Sequence, residues 1–120
     1  MSDSIELPEG APMRIYQDYV QRLEAMHGWL EVDLVHNCFL MGEEVGELFK
    51  AVRRYERYYE QQGAETHATE GEEDVSRRAA VADEIVDVMN YLFAVANRLN
   101  IDVEEAFRRK NAENQGRVWV

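Results

Sequence analysis

The sequence predicts an all-α protein, a four-helix, bundle-like single domain. Three observations point there. Apolar residues recur at steps of three and four over long stretches, the spacing that lines one face of a helix. No segment alternates apolar and polar residues as a strand does. Helix-starting and helix-stopping residues fall where those stretches begin and end. At 120 residues and 14.0 kDa the chain has the length of one domain.

The elements follow in order. Residues 1–12, with Pro8, Gly10 and Pro12, read as an N-terminal tail. Residues 13–120 form the domain. A first helix is expected from about Met13 to Met26, with Ile15, Tyr19, Leu23 and Met26 on its apolar face, and Gly28 ends it. Asp33 is the expected N-cap of a second helix reaching about Glu60. Its apolar seam is Leu34, Cys38, Met41, Val45, Leu48, Val52 and Tyr55, which places Cys38 in the core. Gly42 and Gly46 lie four apart on one face and fit either a close approach or a kink. An acidic loop is expected at about 61–73. The third helix then runs from about Asp74 to Leu99, apolar on nearly every face, as if surrounded by protein. Asp102 with Glu105 resembles a capping box and opens a fourth helix to about Gln115.

A formal net charge of −11 argues against nucleic acid as a partner, because phosphate backbones repel such a surface. No uncharged stretch is long enough to span a membrane. The N-terminus carries no basic-then-apolar leader, and a lone cysteine suits a reducing compartment, so a cytoplasmic location is expected.

The chemistry lies in the acids. Glu44 and Glu47 share one face of the second helix, with Glu43 on its edge; Glu84 and Asp87 share a face of the third. Carboxylates within apolar helices persist when protonated, paired with cations or bound to a metal. If the two long helices pack antiparallel, the pairs meet across the seam. An all-oxygen set without histidine or cysteine suits Mg2+, with Mn2+ as a substitute. Such a site neutralises phosphates and orients a water, which a spare carboxylate can deprotonate. A di-iron bundle would need repeated Glu-x-x-His, and Glu24 with His27 is the single such pair.

Glu43-Glu44-Val45-Gly46-Glu47 followed by Glu84-Ile85-Val86-Asp87-Val88 resembles the E-E-x-x-E … E-x-x-D pattern of MazG-like nucleotide pyrophosphohydrolases, of the all-α nucleoside triphosphate pyrophosphatase superfamily. The resemblance runs from about Trp29 to Trp119. It takes in Lys110-Asn111-Ala112-Glu113-Asn114-Gln115-Gly116-Arg117, which looks like the family's K-x-x-x-N-x-x-R. It implies Mg2+-dependent cleavage of the α–β phosphoanhydride of a nucleoside triphosphate, giving monophosphate and pyrophosphate, as in nucleotide-pool clean-up. By position Glu44, Glu47, Glu84 and Asp87 would hold the metal, and Glu43 or Glu44 would activate water. Homodimers or homotetramers would be the working state. The segment between Glu47 and Glu84 is longer than in many relatives, which leaves the substrate and the subunit packing open.

Lys110, Asn114 and Arg117 share one helical stripe or its continuation and could hold phosphates; Asn90 and Tyr91, beside the acids, could meet sugar or phosphate; Trp29 could meet a base. Arg53, Arg54 and Arg57 could meet phosphate or simply solvate their helix. The alternatives are a phosphoribosyl-ATP or dUTP/dCTP-type pyrophosphatase of the same superfamily, and a non-catalytic helical oligomerising or binding module whose acids are structural.

Overall fold

The computed structural model describes residues 4–62 and 71–118. These form four helices, and among the described residues there is no strand, so the fold class is the expected one. The helices are α1 (Met13–His27), α2 (Leu34–Gln62), α3 (Glu72–Arg98) and α4 (Val103–Gln115). The expected acidic loop at 61–73 is trimmed from both sides, because helix continues to Gln62 and resumes at Glu72; residues 63–70 lie outside the described residues.

The helix ends are set by local chemistry. Pro12 begins α1 without a side-chain cap, and Glu104 of α4 accepts from the Arg14 N–H at 3.3 Å instead. Gly28 closes α1 at φ 73°, a left-handed conformation that glycine adopts without steric cost. Its N–H donates to Ala25 O at 3.2 Å, and that of Trp29 to Glu24 O at 2.8 Å. Asp33 Oδ1 accepts from His36 N at 2.8 Å, and Asp102 Oδ1 from Glu105 N at 3.2 Å, so both expected caps are made.

The chain divides into two compact units, one of residues up to Asn37 with those from Leu92 onward, the other Cys38–Tyr91. In the first, α1 packs on α4. The buried side of α1 is Gln17, Val20 and Glu24, not the expected apolar stripe; Ile15, Tyr19 and Leu23 are half-buried and Met26 is exposed. Polar side chains can occupy that face because each is paired. Gln17 Nε2 donates to Asn97 Oδ1 at 2.9 Å and to Ile101 O at 2.6 Å, while its Oε1 accepts from Val103 N at 3.0 Å. Glu24 binds Arg98 at 2.9 Å, both side chains largely buried. Arg98 also donates to Trp29 O at 3.0 Å, Val32 O at 2.8 Å and Ala94 O at 3.0 Å. Asn37 is buried and donates to Val32 O and Asp33 O, which holds the turn before α2.

In the second unit α2 and α3 run antiparallel side by side. Arg77 of α3 donates to Arg54 O of α2 at 2.9 Å near one end, and Glu44 meets Glu84 and Asp87 further along. Ala51 is buried here, while much of the apolar surface is not. Cys38 is exposed, against expectation, and Ile85, Val86, Met89 and Leu92 leave α3 open along faces expected to be covered. A Cβ built at Gly42 or Gly46 meets no atom within 4 Å, so among the described residues no close approach accounts for these glycines.

Candidate metal centre

Glu44 on α2 and Glu84 and Asp87 on α3 each offer one carboxylate oxygen, and these oxygens lie within 4.8 Å of one another. Glu44 and Glu84 are half-buried and Asp87 is exposed, so the group opens to solvent on the Asp87 side. The i, i+3 spacing on α3 turns Glu84 and Asp87 to the same side, and the antiparallel neighbour brings Glu44 to them.

The carboxylates of this group repel one another, which disfavours Glu44 in its charged form. Burial raises the Glu44 carboxyl above its ordinary value of 4.5, helped by a hydrogen bond with Glu84 and by the charges of Asp87, Glu84 and Glu47. A carboxyl–carboxyl hydrogen bond needs a proton, and with both groups ionised neither can donate. Glu84 Oε2 is then shut off from solvent with no donor. The residues fit a small divalent ion. Oxygens bound to one such cation at about 2.0–2.6 Å stand at most about 4–5 Å apart, and the three carboxylates fall within that span. The donors are all hard oxygens, which favours Mg2+ or Mn2+ over softer metals.

The structure gathers part of the expected set. Glu47 is exposed, and its charge is felt at Glu44, yet its carboxylate stands outside the group. Glu43 is exposed and also outside. Among the described residues no other three acids, histidines or cysteines come together this way. Asn90 and Tyr91 follow Asp87 along α3, both half-buried in the same unit, and Tyr91 is engaged within the chain.

Trp29, Lys110, Asn114 and Arg117 belong to the other unit. Trp29 is 51% exposed, and its ring stacks on His27 with centroids 4.5 Å apart. Lys110 Nζ lies 3.7 Å from Glu113, and Asn114 Nδ2 donates to Asn111 Oδ1 at 3.2 Å. The helix stops at Gln115, so Arg117 sits beyond it and the three do not form one unbroken helical stripe. Arg77, whose charge suits a partner for an acidic face, instead pairs with Glu73 at 3.2 Å and ties α3 to α2 through the Arg54 carbonyl at 2.9 Å.

Comparison with known proteins gives one family. The profile of phosphoribosyl-ATP pyrophosphohydrolase matches residues 11–114, a span that contains every acid of the cluster. No curated protein and no solved structure matches the chain. The likeness to MazG-like enzymes therefore holds at the level of the all-α superfamily they share with this family, while the matching family is the one that was kept as an alternative. The chain belongs to the phosphoribosyl-ATP pyrophosphohydrolase family and is a hydrolase of phosphoanhydride bonds.

Proposed function

We propose that the chain hydrolyses the α–β phosphoanhydride of phosphoribosyl-ATP, releasing pyrophosphate, in a reaction that depends on Mg2+. The observation that carries this reading is the three-carboxylate group of Glu44, Glu84 and Asp87, within a family whose name supplies the substrate. A canonical nucleoside triphosphate is the second reading. It is favoured by the make-up of the group itself, which suits a metal and a phosphoanhydride and contains nothing that reads a base.

Glu44, Glu84 and Asp87 would hold Mg2+ or Mn2+, with Glu47 close enough to add its charge. The bound ion would neutralise phosphate oxygens and polarise the phosphorus. The chain's own work is to place the substrate and manage a proton. A water oxygen bonds to phosphorus, the bridging P–O bond breaks with its electron pair leaving on pyrophosphate, and a carboxylate takes the water's proton. Glu44, within the carboxylate group, and Glu43, exposed on the preceding position, are the residues proposed for that step. Within the unit of the acids, Asn90 and Tyr91 are the proposed substrate contacts; Lys110, Asn114, Arg117 and Trp29, proposed from the sequence pattern, belong to the other unit.

The deciding experiment is pyrophosphate release from phosphoribosyl-ATP and from a panel of canonical and modified nucleoside triphosphates, with Mg2+, with Mn2+ and with chelator. Chelator-sensitive release highest on phosphoribosyl-ATP supports the first reading. Preference for another triphosphate selects the second. Silence across the panel from a folded protein sinks both and leaves the non-catalytic helical module.

The metal reading has a thermodynamic signature. A carboxyl whose folded value is raised binds protons more tightly in the folded chain than in the unfolded one. Without metal, the contribution of Glu44 to stability is therefore expected to fall as pH rises from about 4.5 through its raised value, and to level off above it. Added Mg2+ should cancel that loss. Urea midpoints of wild type and Glu44→Gln across pH, with and without Mg2+, check this; identical pH slopes in chelator would refute it.

The working state is proposed to be a homodimer or homotetramer. Phe39 and Phe49 on α2 are 71% and 70% exposed, and α3 adds the open face noted above. Large apolar side chains left open on neighbouring helices are the kind of surface that association covers. Sedimentation equilibrium should show a mass of two or four chains at micromolar concentration; a monomer would reject the proposal.

A further inference from the structure

On α2, Glu43, Glu47, Lys50, Arg54 and Arg57 follow one another at four, three, four and three residues, so they form a single stripe. All five are exposed. The stripe is acidic where it flanks the metal centre and basic beyond it. Arg54 lies seven residues past Glu47, two turns and about 10 Å along the axis. On α3, Arg77 lies seven residues before Glu84, the matching displacement on the antiparallel neighbour. The Arg77 bond to Arg54 O holds the two basic positions level with each other, as Glu44 and Glu84 hold the acidic ones.

Arg77 is committed to Glu73 at 3.2 Å and to the Arg54 carbonyl. Among the described residues Lys50, Arg53, Arg54 and Arg57 form no ion pair. Lys50 and Arg54, Arg53 and Arg57, and Arg54 and Arg57 stand at the spacings where like charges repel on a helix. An acidic chain of net charge −11 thus keeps a self-repelling basic stripe, without an ion pair among the described residues, two turns from its carboxylate group.

We infer that Lys50, Arg54 and Arg57 form a subsite for the phosphate group that projects beyond the metal centre, the distal phosphate of the pyrophosphate that leaves. The inference rests on the pyrophosphohydrolase reading and extends it to a second anchor. A metal among carboxylates can neutralise the phosphates it touches, but the outer end of a polyphosphate points away from it. Guanidinium groups offer paired N–H donors that match phosphate oxygens. Placed two turns on, they stabilise charge as the bridging bond breaks and hold the departing group.

The test is calorimetric titration of inorganic pyrophosphate into the Mg2+-loaded full chain. The Arg54→Gln/Arg57→Gln double variant is expected to bind pyrophosphate at least tenfold more weakly than wild type. Arg108→Gln/Arg109→Gln, which removes the same charge from α4, should stay within twofold. Unchanged circular dichroism and undiminished Mn2+ binding would show that the helices and the carboxylates are intact in the double variant. Equal pyrophosphate affinity in wild type and double variant overturns the inference, as does a wild type that does not bind pyrophosphate. If no substrate is hydrolysed but pyrophosphate binding still depends on Arg54 and Arg57, the proposed reaction fails and the subsite stands.

Discussion

Replacing Asp87 by asparagine is expected to lower metal-dependent pyrophosphate release by on the order of 10²–10³-fold, the scale on which catalysis falls when one preorganised electrostatic partner is lost. The substitution keeps the size of the side chain and removes one charge of the three that meet. Asp87 is exposed, so no buried partner is orphaned and the fold should survive. Stability without metal should rise slightly, because repulsion on Glu44 is relieved. Glu84→Gln should raise it further, since the new amide can donate to the Glu44 carboxylate where Glu84 Oε2 now has no donor. Loss of turnover together with a gain in apo stability is the combination that separates a metal centre from an acidic surface. Release at more than a tenth of the wild-type rate in Asp87→Asn would exclude Asp87 as a ligand.

Arg98→Ala is expected to cost about 3–5 kcal/mol, the range for removing one partner of a buried ion pair. The guanidinium meets both Glu24 oxygens, at 3.3 and 2.9 Å, and the carbonyls of Trp29, Val32 and Ala94. Its loss strands a carboxylate on the buried side of α1 and takes one donor from the Trp29 and Val32 carbonyls, which keep those from Val32 N and Asn37 Nδ2. Domains of this size have a stability of about 5–15 kcal/mol, so the variant should sit near the edge of folding. Glu24→Gln should cost less, because an amide oxygen can still accept from Arg98. Urea denaturation followed by circular dichroism measures both, and an Arg98→Ala loss under about 1 kcal/mol would contradict the reading.

Much of this was legible in the sequence, for reasons that differ by element. Helices α1 to α4 could be read because periodicity and caps are local, and Gly28, Asp33 and Asp102 act as their letters suggest. Glu44, Glu84 and Asp87 could be read because helical spacing fixes which acids share a face, and one antiparallel pairing then joins them. The Glu24–Arg98 pair could not, since nothing in the spacing of a lone glutamate and an arginine some seventy residues later marks them as partners. The buried face of α1 was misplaced for the same reason, as Gln17 and Glu24 are tolerable inside only with partners from distant segments. Cys38 and the α3 faces were misjudged because an apolar pattern says that a surface wants cover, not that its own chain supplies it.

The segment from Gly28 to Asp33 is held by its backbone. Arg98 grips the carbonyls of Trp29 and Val32, Gly28 and Trp29 donate back to the end of α1, and Asn37 takes the Val32 and Asp33 carbonyls. The side chains of Trp29, Leu30 and Glu31 face outward and, apart from the Trp29 ring stacked on His27, lend little to that framework. Mutational tolerance should therefore split within a few residues: randomising positions 29–31 leaves folding intact, while Glu24 and Arg98, which anchor the same turn from elsewhere in the sequence, admit few replacements. The turn is a rigid frame with interchangeable side chains, a place where a lineage can vary what the surface recognises without reopening the question of how the chain folds.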